Sequence, residues 1–120
     1  MLKIAVHGYS SVGQLEVESR LVQIVIDCHG WILEERAISI TGYCLRFEIP
    51  LSDIPDIYGE LQHAGLQLTP LAHRAMTEMC LCRKHLLPSE EAQIVSIDLY
   101  VGMLDEERLR FRRLVRMHFV

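Results

Sequence analysis

Residues 43–49 alternate strictly between large apolar side chains and other types, and this alternation constrains the fold more than any other feature of the chain. Every second residue falls on one face of an extended strand, and that face carries the apolar set: Tyr43, Leu45, Phe47 and Ile49. The other face carries the residues between them: Cys44, Arg46 and Glu48. Because Thr41-Gly42 is a turn signal and residues 31–40 alternate loosely before it, the region predicts a β-hairpin with one buried face.

The segment before the hairpin predicts a strand followed by a helix. Residues 2–8 alternate as a short buried strand. From about residue 13 to residue 29, apolar side chains recur at helical spacing, which predicts an amphipathic helix. Gly30 fits the position of its C-terminal stop.

A second helix is predicted directly after the hairpin. Ser52 or Asp53 can cap it, and its first turn tolerates Pro55. Gly65 is predicted to end it. Gly59 lies in its interior, where glycine costs about 1 kcal/mol relative to alanine, and we interpret this residue as a mark of close packing on a sheet.

The remainder of the chain predicts mainly extended structure. Residues 66–71 favour a short extended segment, residues 76–83 a strand, and residues 93–101 a further strand. The tail from Leu104 fits either a helix or a strand. The helix is favoured because three acidic residues precede its arginines, as the helix dipole prefers.

Strand, helix, strand, strand, helix, strand over residues 2–83 is the split βαβ order of the ferredoxin-like fold. The predicted fold class is therefore α+β, with an antiparallel sheet and two helices on one face, extended by a C-terminal strand and a short helix. Residues 1–85 form the ferredoxin-like domain in this interpretation, and residues 86–120 form an extension packed on the same single domain. The strand at 93–101 can cap a sheet edge or swap between subunits.

Composition bounds the class of protein. A chain of 120 residues with 50% hydrophobic content can bury a core as one domain. Its apolar runs are shorter than the ~20 residues of a membrane span, and its start lacks the features of a signal peptide, so we expect a cytoplasmic protein with reduced cysteines. The net charge of −4 gives no general attraction to nucleic acid.

The turn "AVHGYSSVGQL" at residues 5–15 lies between the first strand and the first helix. A helix N-terminus presents unpaired N–H groups, so a carboxylate or phosphate can bind there, and Gly13 lets a ligand approach the backbone. The alternative is that Ser10 or Ser11 only caps the helix. His7, beside the turn, can meet an anion when it is protonated.

The entry Gly13-Gln14-Leu15 and the small-residue turn at residues 28–32 resemble ACT-type regulatory domains, and the resemblance extends over about residues 2–83. It implies that a small effector, often an amino acid, binds where the first strand–helix turn meets a partner subunit. Carried over position by position, it places these residues at the ligand: Tyr9, Ser10, Ser11, Val12, Gly13 and Leu15.

Other patterns give weaker indications of chemistry. Cys80, Cys82 and His85 form a C-x-C-x-x-H pattern, but zinc takes four ligands, so core cysteines are the alternative and no metal site is predicted. The arginines of residues 108–116 either contact phosphates or form a solvated helix face. No nucleophile elbow, phosphate loop or acid–base pair is present in the sequence.

These observations predict a protein that is not an enzyme and needs no cofactor. The expected role is a non-catalytic small-ligand-sensing or regulatory module that binds an amino acid or a similar small anion at a dimer interface. The alternative is a protein–protein interaction or oligomerisation module with no small ligand. We expect a homodimer, no membrane partner and no nucleic-acid partner.

Overall fold

The computed structural model describes residues 2–10, 14–39, 41–84 and 93–103, and these form five strands and three helices. In chain order they are β1 (Leu2–Ser10), α1 (Gln14–Asp27), β2 (Trp31–Ser39), β3 (Gly42–Pro50), α2 (Ile54–His63), β4 (Gln67–Leu68), α3 (Pro70–Lys84) and β5 (Ile94–Met103). A single 3-10 turn, Leu51–Asp53, leads into α2. The predicted α+β fold class is confirmed.

The strands form one mixed sheet in the order β2-β3-β5-β1-β4. β5 runs parallel to β1 from the pair Leu2–Val95 to the pair Ser10–Met103, and antiparallel to β3. β4 is a two-residue strand at the far edge, antiparallel to β1. The order is that of a split βαβ sheet with one extra strand inserted between β1 and β3.

The strand predicted at residues 93–101 is confirmed, but it lies at the centre of the sheet and not at an edge. Its core-facing side chains are almost completely buried: Val95, Ile97, Leu99 and Val101. β1 and β5 are parallel neighbours although α1, the β2–β3 hairpin, α2, β4 and α3 lie between them in the chain. β5 lies at the centre of the sheet because it pairs with β1 and β3, which are both far from it in the sequence.

The predicted β2–β3 hairpin and its buried face are confirmed. The apolar set of β3 is 0–2% exposed: Tyr43, Leu45, Phe47 and Ile49. β2 is the outer edge strand and is exposed along nearly its whole length. Register shifts between Ile32 and Glu34 and between Ala37 and Ser39 place irregularities in this edge, which blunts it against further strand pairing.

All three helices contribute to one hydrophobic core on one face of the sheet. Buried residues of each helix join the apolar strand residues in a single cluster, with Leu21 from α1, Ile57 from α2 and Met76 from α3 as examples. A hydrogen bond between Tyr58 Oη and His73 Nδ1 (2.6 Å) links α2 to α3. None of the helices among the described residues combines the length and the hydrophobicity that a membrane-spanning helix needs.

The opposite face of the sheet, called the open face below, is the one whose side chains do not join that core. Residues opposite one another in the ladders share a face, so the strand register assigns its members. They are Lys3, Ala5, His7 and Tyr9 on β1; Ser96, Asp98, Tyr100 and Gly102 on β5; Gly42, Cys44, Arg46 and Glu48 on β3; and Trp31, Glu34, Arg36 and Ser39 on β2.

The prediction of a strand at residues 76–83 is wrong, because these residues continue α3. Thr69 begins the helix: the Ala72 N–H donates to Thr69 Oγ1 (3.2 Å), and the His73 N–H donates to the Thr69 carbonyl (2.9 Å). Pro70 occupies the first helical position after this N-cap, where a backbone N–H would have no acceptor within the helix. Ala72 and Met76, four residues apart, are both buried by the core.

The helix ends differ from the sequence expectations in detail. His29 (φ 65°) is the residue in the left-handed conformation after α1. Position 30 requires glycine for a different reason, because a Cβ there would lie 2.8 Å from Val25 Cγ1. Gly65, with φ +85°, ends α2 as predicted. Asp53 precedes α2 without a side-chain capping bond, and its carboxylate lies 3.3 Å from His29 Nδ1 instead.

Leu99 tests the central position of β5. It is fully buried and lies opposite Val6 on one side and Leu45 on the other, so Leu99→Ala should lower the free energy of unfolding by about 2–5 kcal/mol. Urea denaturation measures this change. The matched control is Leu81→Ala, at a leucine 50% exposed on α3, where the change should stay within about 0.5 kcal/mol. Equal effects at the two sites would contradict the strand order.

Candidate functional site

The structure separates the residues that the sequence predicts at the ligand. Tyr9 is 47% exposed on the open face, and its neighbour Ser10 is 2% exposed on the opposite, helix-covered face. Leu15 lies in the first turn of α1. Ser11, Val12 and Gly13 lie outside the described residues. Because successive strand residues point to opposite faces, Tyr9 and Ser10 do not line one common cavity.

The cavity beside Ser10 is small. Glu16, Arg20 and Leu66 are among the residues that line it, and its volume is about 10 Å³. That volume is room for one water molecule and no more. The space that the described residues enclose is too small for an amino acid, and the ligand contacts of Ser11, Val12 and Gly13 stay a prediction.

A larger concavity of about 230 Å³ lies on the open face, over the C-terminal ends of β1 and β5. We call it the aromatic depression. Its lining is His7, Gly8, Tyr9, Ile38, Gly42, Tyr43, Tyr100, Val101 and Gly102. Ile38, whose side chain is 55% exposed, thereby joins the open face from the edge strand.

Two facing glycines create the depression. Gly42 of β3 and Gly102 of β5 are direct partners in the ladder, so the sheet carries no side chain at either position on this face. Tyr9 lies against Gly102: a Cβ at that position would be 2.9 Å from Tyr9 Cδ1. The Tyr9 ring therefore covers Gly102 of the neighbouring strand, and Ile38 of β2 lines the depression from the other side.

The aromatic rings of the depression are held in place by stacking. His7 and Tyr100 are partners across the parallel ladder, with ring centroids 4.8 Å apart and planes inclined by 14°. Offset stacking at this separation is a favourable arrangement for aromatic pairs. His7 thus occupies one face of the Tyr100 ring. The neighbour of Tyr100 on the other side is Cys44, which is 6% exposed and does not line the depression.

The described lysine, arginine, aspartate and glutamate residues of the open face lie outside the lining of the depression. Arg46 Nε donates to Asp98 Oδ1 (2.9 Å), and Arg46 Nη1 lies 3.6 Å from Glu34 Oε2. The hydrogen bond to Asp98 raises the pKa of Arg46. Among the described lining residues there is no lysine, arginine, aspartate or glutamate. The depression therefore offers mainly apolar and aromatic contacts, while Arg46, Asp98 and Glu34 pair with one another outside it.

Tyr43 lies beneath the depression, and its hydroxyl reaches the core-facing side of β2. It is 2% exposed and donates a hydrogen bond to Glu35 Oε1 (2.9 Å). Burial raises the pKa of Tyr43, and the hydrogen bond to Glu35 raises it further. Burial also raises the pKa of Cys44, so this cysteine behaves as a small apolar residue and not as a reactive thiolate.

A second concavity, the interhelix groove, separates α1 from α2 and has a volume of about 510 Å³. Carboxylates line it at Asp27, Asp56 and Glu60. Burial raises the pKa of Cys28 on its wall, and these carboxylates raise it further. Across the described residues, no three histidine, cysteine or acidic side chains lie close enough to hold a metal ion.

Gly59 faces the interhelix groove, and a Cβ there would meet no atom within 4 Å. The interpretation of Gly59 as a site of close packing is therefore wrong.

Cys80 lies on α3 and not on a strand, and His85 lies outside the described residues. The arginine-rich tail lies outside them too.

No family model, curated protein or solved structure gives a significant match to this chain. The resemblance to ACT-type domains accordingly stays a prediction. Sequence inspection named Tyr9 and His7 but missed Tyr100, Gly42 and Gly102. Glycines and a tyrosine inside strand-forming segments were the available signal, but only the register brings them together.

Tyr43→Phe tests the buried hydroxyl. Tyr43 stays protonated in the folded protein at a pH where the tyrosine of an unfolded chain, with a pKa of about 10, ionises. Its contribution to stability is therefore complete below pH ~10 and is lost as pH rises further. Urea denaturation between about pH 9 and pH 11 should show wild type losing stability relative to Tyr43→Phe. Parallel curves for the two proteins would contradict this assignment.

Gly59→Ala tests the open side of α2. Position 59 has space for a methyl group and lies in helical backbone, where alanine is more favourable than glycine. The substitution should therefore raise the free energy of unfolding by about 1 kcal/mol. Gly65→Ala is the matched control, because φ +85° there should make alanine unfavourable by about 1–2 kcal/mol. Denaturation curves should move in opposite directions, and a destabilised Gly59→Ala would show that the groove is closed by contacts.

Proposed function

We propose that this chain is a non-catalytic regulatory module that works as a homodimer, with the open face as the contact between two copies. The observation that carries the proposal is the open face itself. It presents large apolar side chains to solvent, Tyr9, Trp31 and Ile38, each 43–55% exposed. Apolar side chains grouped on one face are typical of an interaction surface.

The charge of the open face favours a second copy as the partner. Its described members are balanced: Lys3, Arg36 and Arg46 are cationic, and Glu34, Glu48 and Asp98 are anionic. The whole chain, by contrast, carries a net charge of −4. Two copies with the same net charge repel one another, so contact through a neutral face has the smallest electrostatic cost.

The size of the open face also suits a dimer. Four strands of nine or ten residues lie side by side on it. With a strand spacing of about 4.8 Å and a rise of about 3.3 Å per residue, they cover roughly 600 Å² in projection. Projecting side chains add to this area, and a standard interface needs about 800 Å² from each partner. A two-fold axis then places each face against its own copy.

The sequence places the small ligand at the turn after β1, and of those turn residues Tyr9 lies on the open face. A second copy would roof the aromatic depression, so a ligand in it would lie at the dimer interface. The alternative, an interaction module without a small ligand, uses the open face but leaves the depression empty or filled by a partner side chain.

Sedimentation velocity on the full chain tests the dimer. Wild type should reach twice the mass of one chain as concentration rises, and Ile38→Glu should weaken self-association at least tenfold because it sets a new carboxylate on each opposed face. Ile26→Glu is the matched control: Ile26 is 53% exposed on α1, against 55% for Ile38, and lies off the open face. A monomeric wild type, or equal effects of the two substitutions, would refute the proposal.

A further inference from the structure

We propose that the interhelix groove between α1 and α2 is the docking site of the chain's own arginine-rich segment, residues 104–120. The groove is lined by helix residues and by His29, none of which belongs to the open face, so the docking does not depend on the dimer. Residues 104–120 lie outside the described residues. Their sequence and the position of Met103, which precedes them, connect them to the groove.

The groove is negatively charged. Asp27, Asp56 and Glu60 line it, and all three are exposed to solvent. No lysine or arginine belongs to its described lining, and no described lysine or arginine forms an ion pair with these carboxylates. His29 and His63 line it as well. Because the carboxylates outnumber the imidazoles even when both are protonated, the groove favours a cationic occupant.

The groove also has space and an apolar part. Ile24, Cys28 and Pro55 belong to its lining, and the first two are almost completely buried. Gly59 adds space, because a Cβ at this position would meet no atom within 4 Å. The volume of about 510 Å³ lies within the ~300–1,000 Å³ of ligand sites, so several side chains can enter.

The arginine-rich segment is complementary to this lining. It carries five arginines and three acidic residues, a net charge of +2, which leaves −6 on the rest of a chain whose total is −4. Guanidinium groups form short, often bidentate hydrogen bonds with carboxylates. Apolar residues alternate with the arginines and can contact the apolar part of the groove: Leu109, Phe111, Leu114 and Val115.

The segment leaves the sheet at the end where the groove begins. Met103, the last residue of β5, pairs with Ser10 of β1. Next to Ser10 in the sheet, Tyr9 pairs with Gln67 of β4. Gln67 follows four residues after His63, which ends α2 and lines the groove. The start of the segment and the His63 end of the groove therefore lie at the same end of the molecule.

The segment is also long enough to follow the groove. An extended chain spans about 3.3 Å per residue, so Arg108 can lie up to ~17 Å from Met103 and Arg116 up to ~43 Å. The ten residues of α2 span only ~15 Å. Because the segment is tethered to the groove by the same chain, its effective concentration there is on the order of millimolar, and a weak contact is enough to hold it.

Limited digestion of the full chain with trypsin, which cleaves after arginine, tests the docking. Asp56→Asn combined with Glu60→Gln removes two groove charges and should speed cleavage within residues 108–116 at least fivefold, as mass spectrometry reports. Glu78→Gln is the matched control, at an exposed carboxylate of α3 outside the groove, and should leave the rate unchanged. Equal rates in wild type and the double variant, or equal increases in the double variant and the control, would overturn the proposal.

A second variant tests the space rather than the charge. Gly59→Leu fills part of the groove without changing any charge, and it should also speed cleavage of the segment. Circular dichroism verifies that every variant is folded. In wild type, NOE measurements should detect contacts from residues 104–120 to Ile24 or Gly59, and an absence of such contacts would overturn the proposal.

Sedimentation and dilution of the same samples separate this proposal from the dimer. Groove-dependent protection of the segment in a monomeric wild type would refute the dimer and support the docking. A dimer whose segment is cleaved equally fast in wild type and the double variant would refute the docking and leave the dimer intact. Protection that is lost on dilution would place the segment in the groove of another copy and would overturn docking within one chain.

Discussion

The position of β5 between β1 and β3 is the constraint on which the rest of the structure depends. β5 pairs along its whole length with both neighbours, parallel on one side and antiparallel on the other. Its alternation then divides the sheet into two faces: Leu99 and its apolar companions face the helices, while Tyr100 and Gly102 face away from them. Without this strand, His7 would have no stacking partner and Gly42 no facing glycine, so the aromatic depression would not exist.

Local patterns in the sequence predicted much of this fold. The alternation of residues 43–49 gave the buried face of β3, and the glycine at position 65 gave the end of α2. Residues 76–83 misled the prediction because methionine and cysteine suit either element, and residues 66–71 were predicted to be extended although α3 begins at Pro70. The place of β5 was not predictable, since parallel pairing with β1 depends on contacts between the two ends of the chain.

The candidate site was predictable only in part, for the same reason. Tyr9 was named through the resemblance to ACT-type domains, yet its partner Gly102 is about ninety positions away in the chain and meets it only through the parallel ladder. The turn-based site assumed that Tyr9 and Ser10 act together, whereas strand geometry directs them to opposite faces. The charge balance of the open face likewise emerges from the register, which sets Arg46 beside Asp98 and Glu34.

The account holds that two copies meet through the open face. An isotope-filtered NOE experiment on dimers mixed from labelled and unlabelled chains tests this directly, because it detects only contacts between copies. The account predicts intermolecular contacts among Tyr9, Trp31 and Ile38, which are exposed on the open face. Intermolecular contacts confined to the exposed helix residues Ile26, Leu71 and Leu81 would contradict it and would assign the association to the helical side.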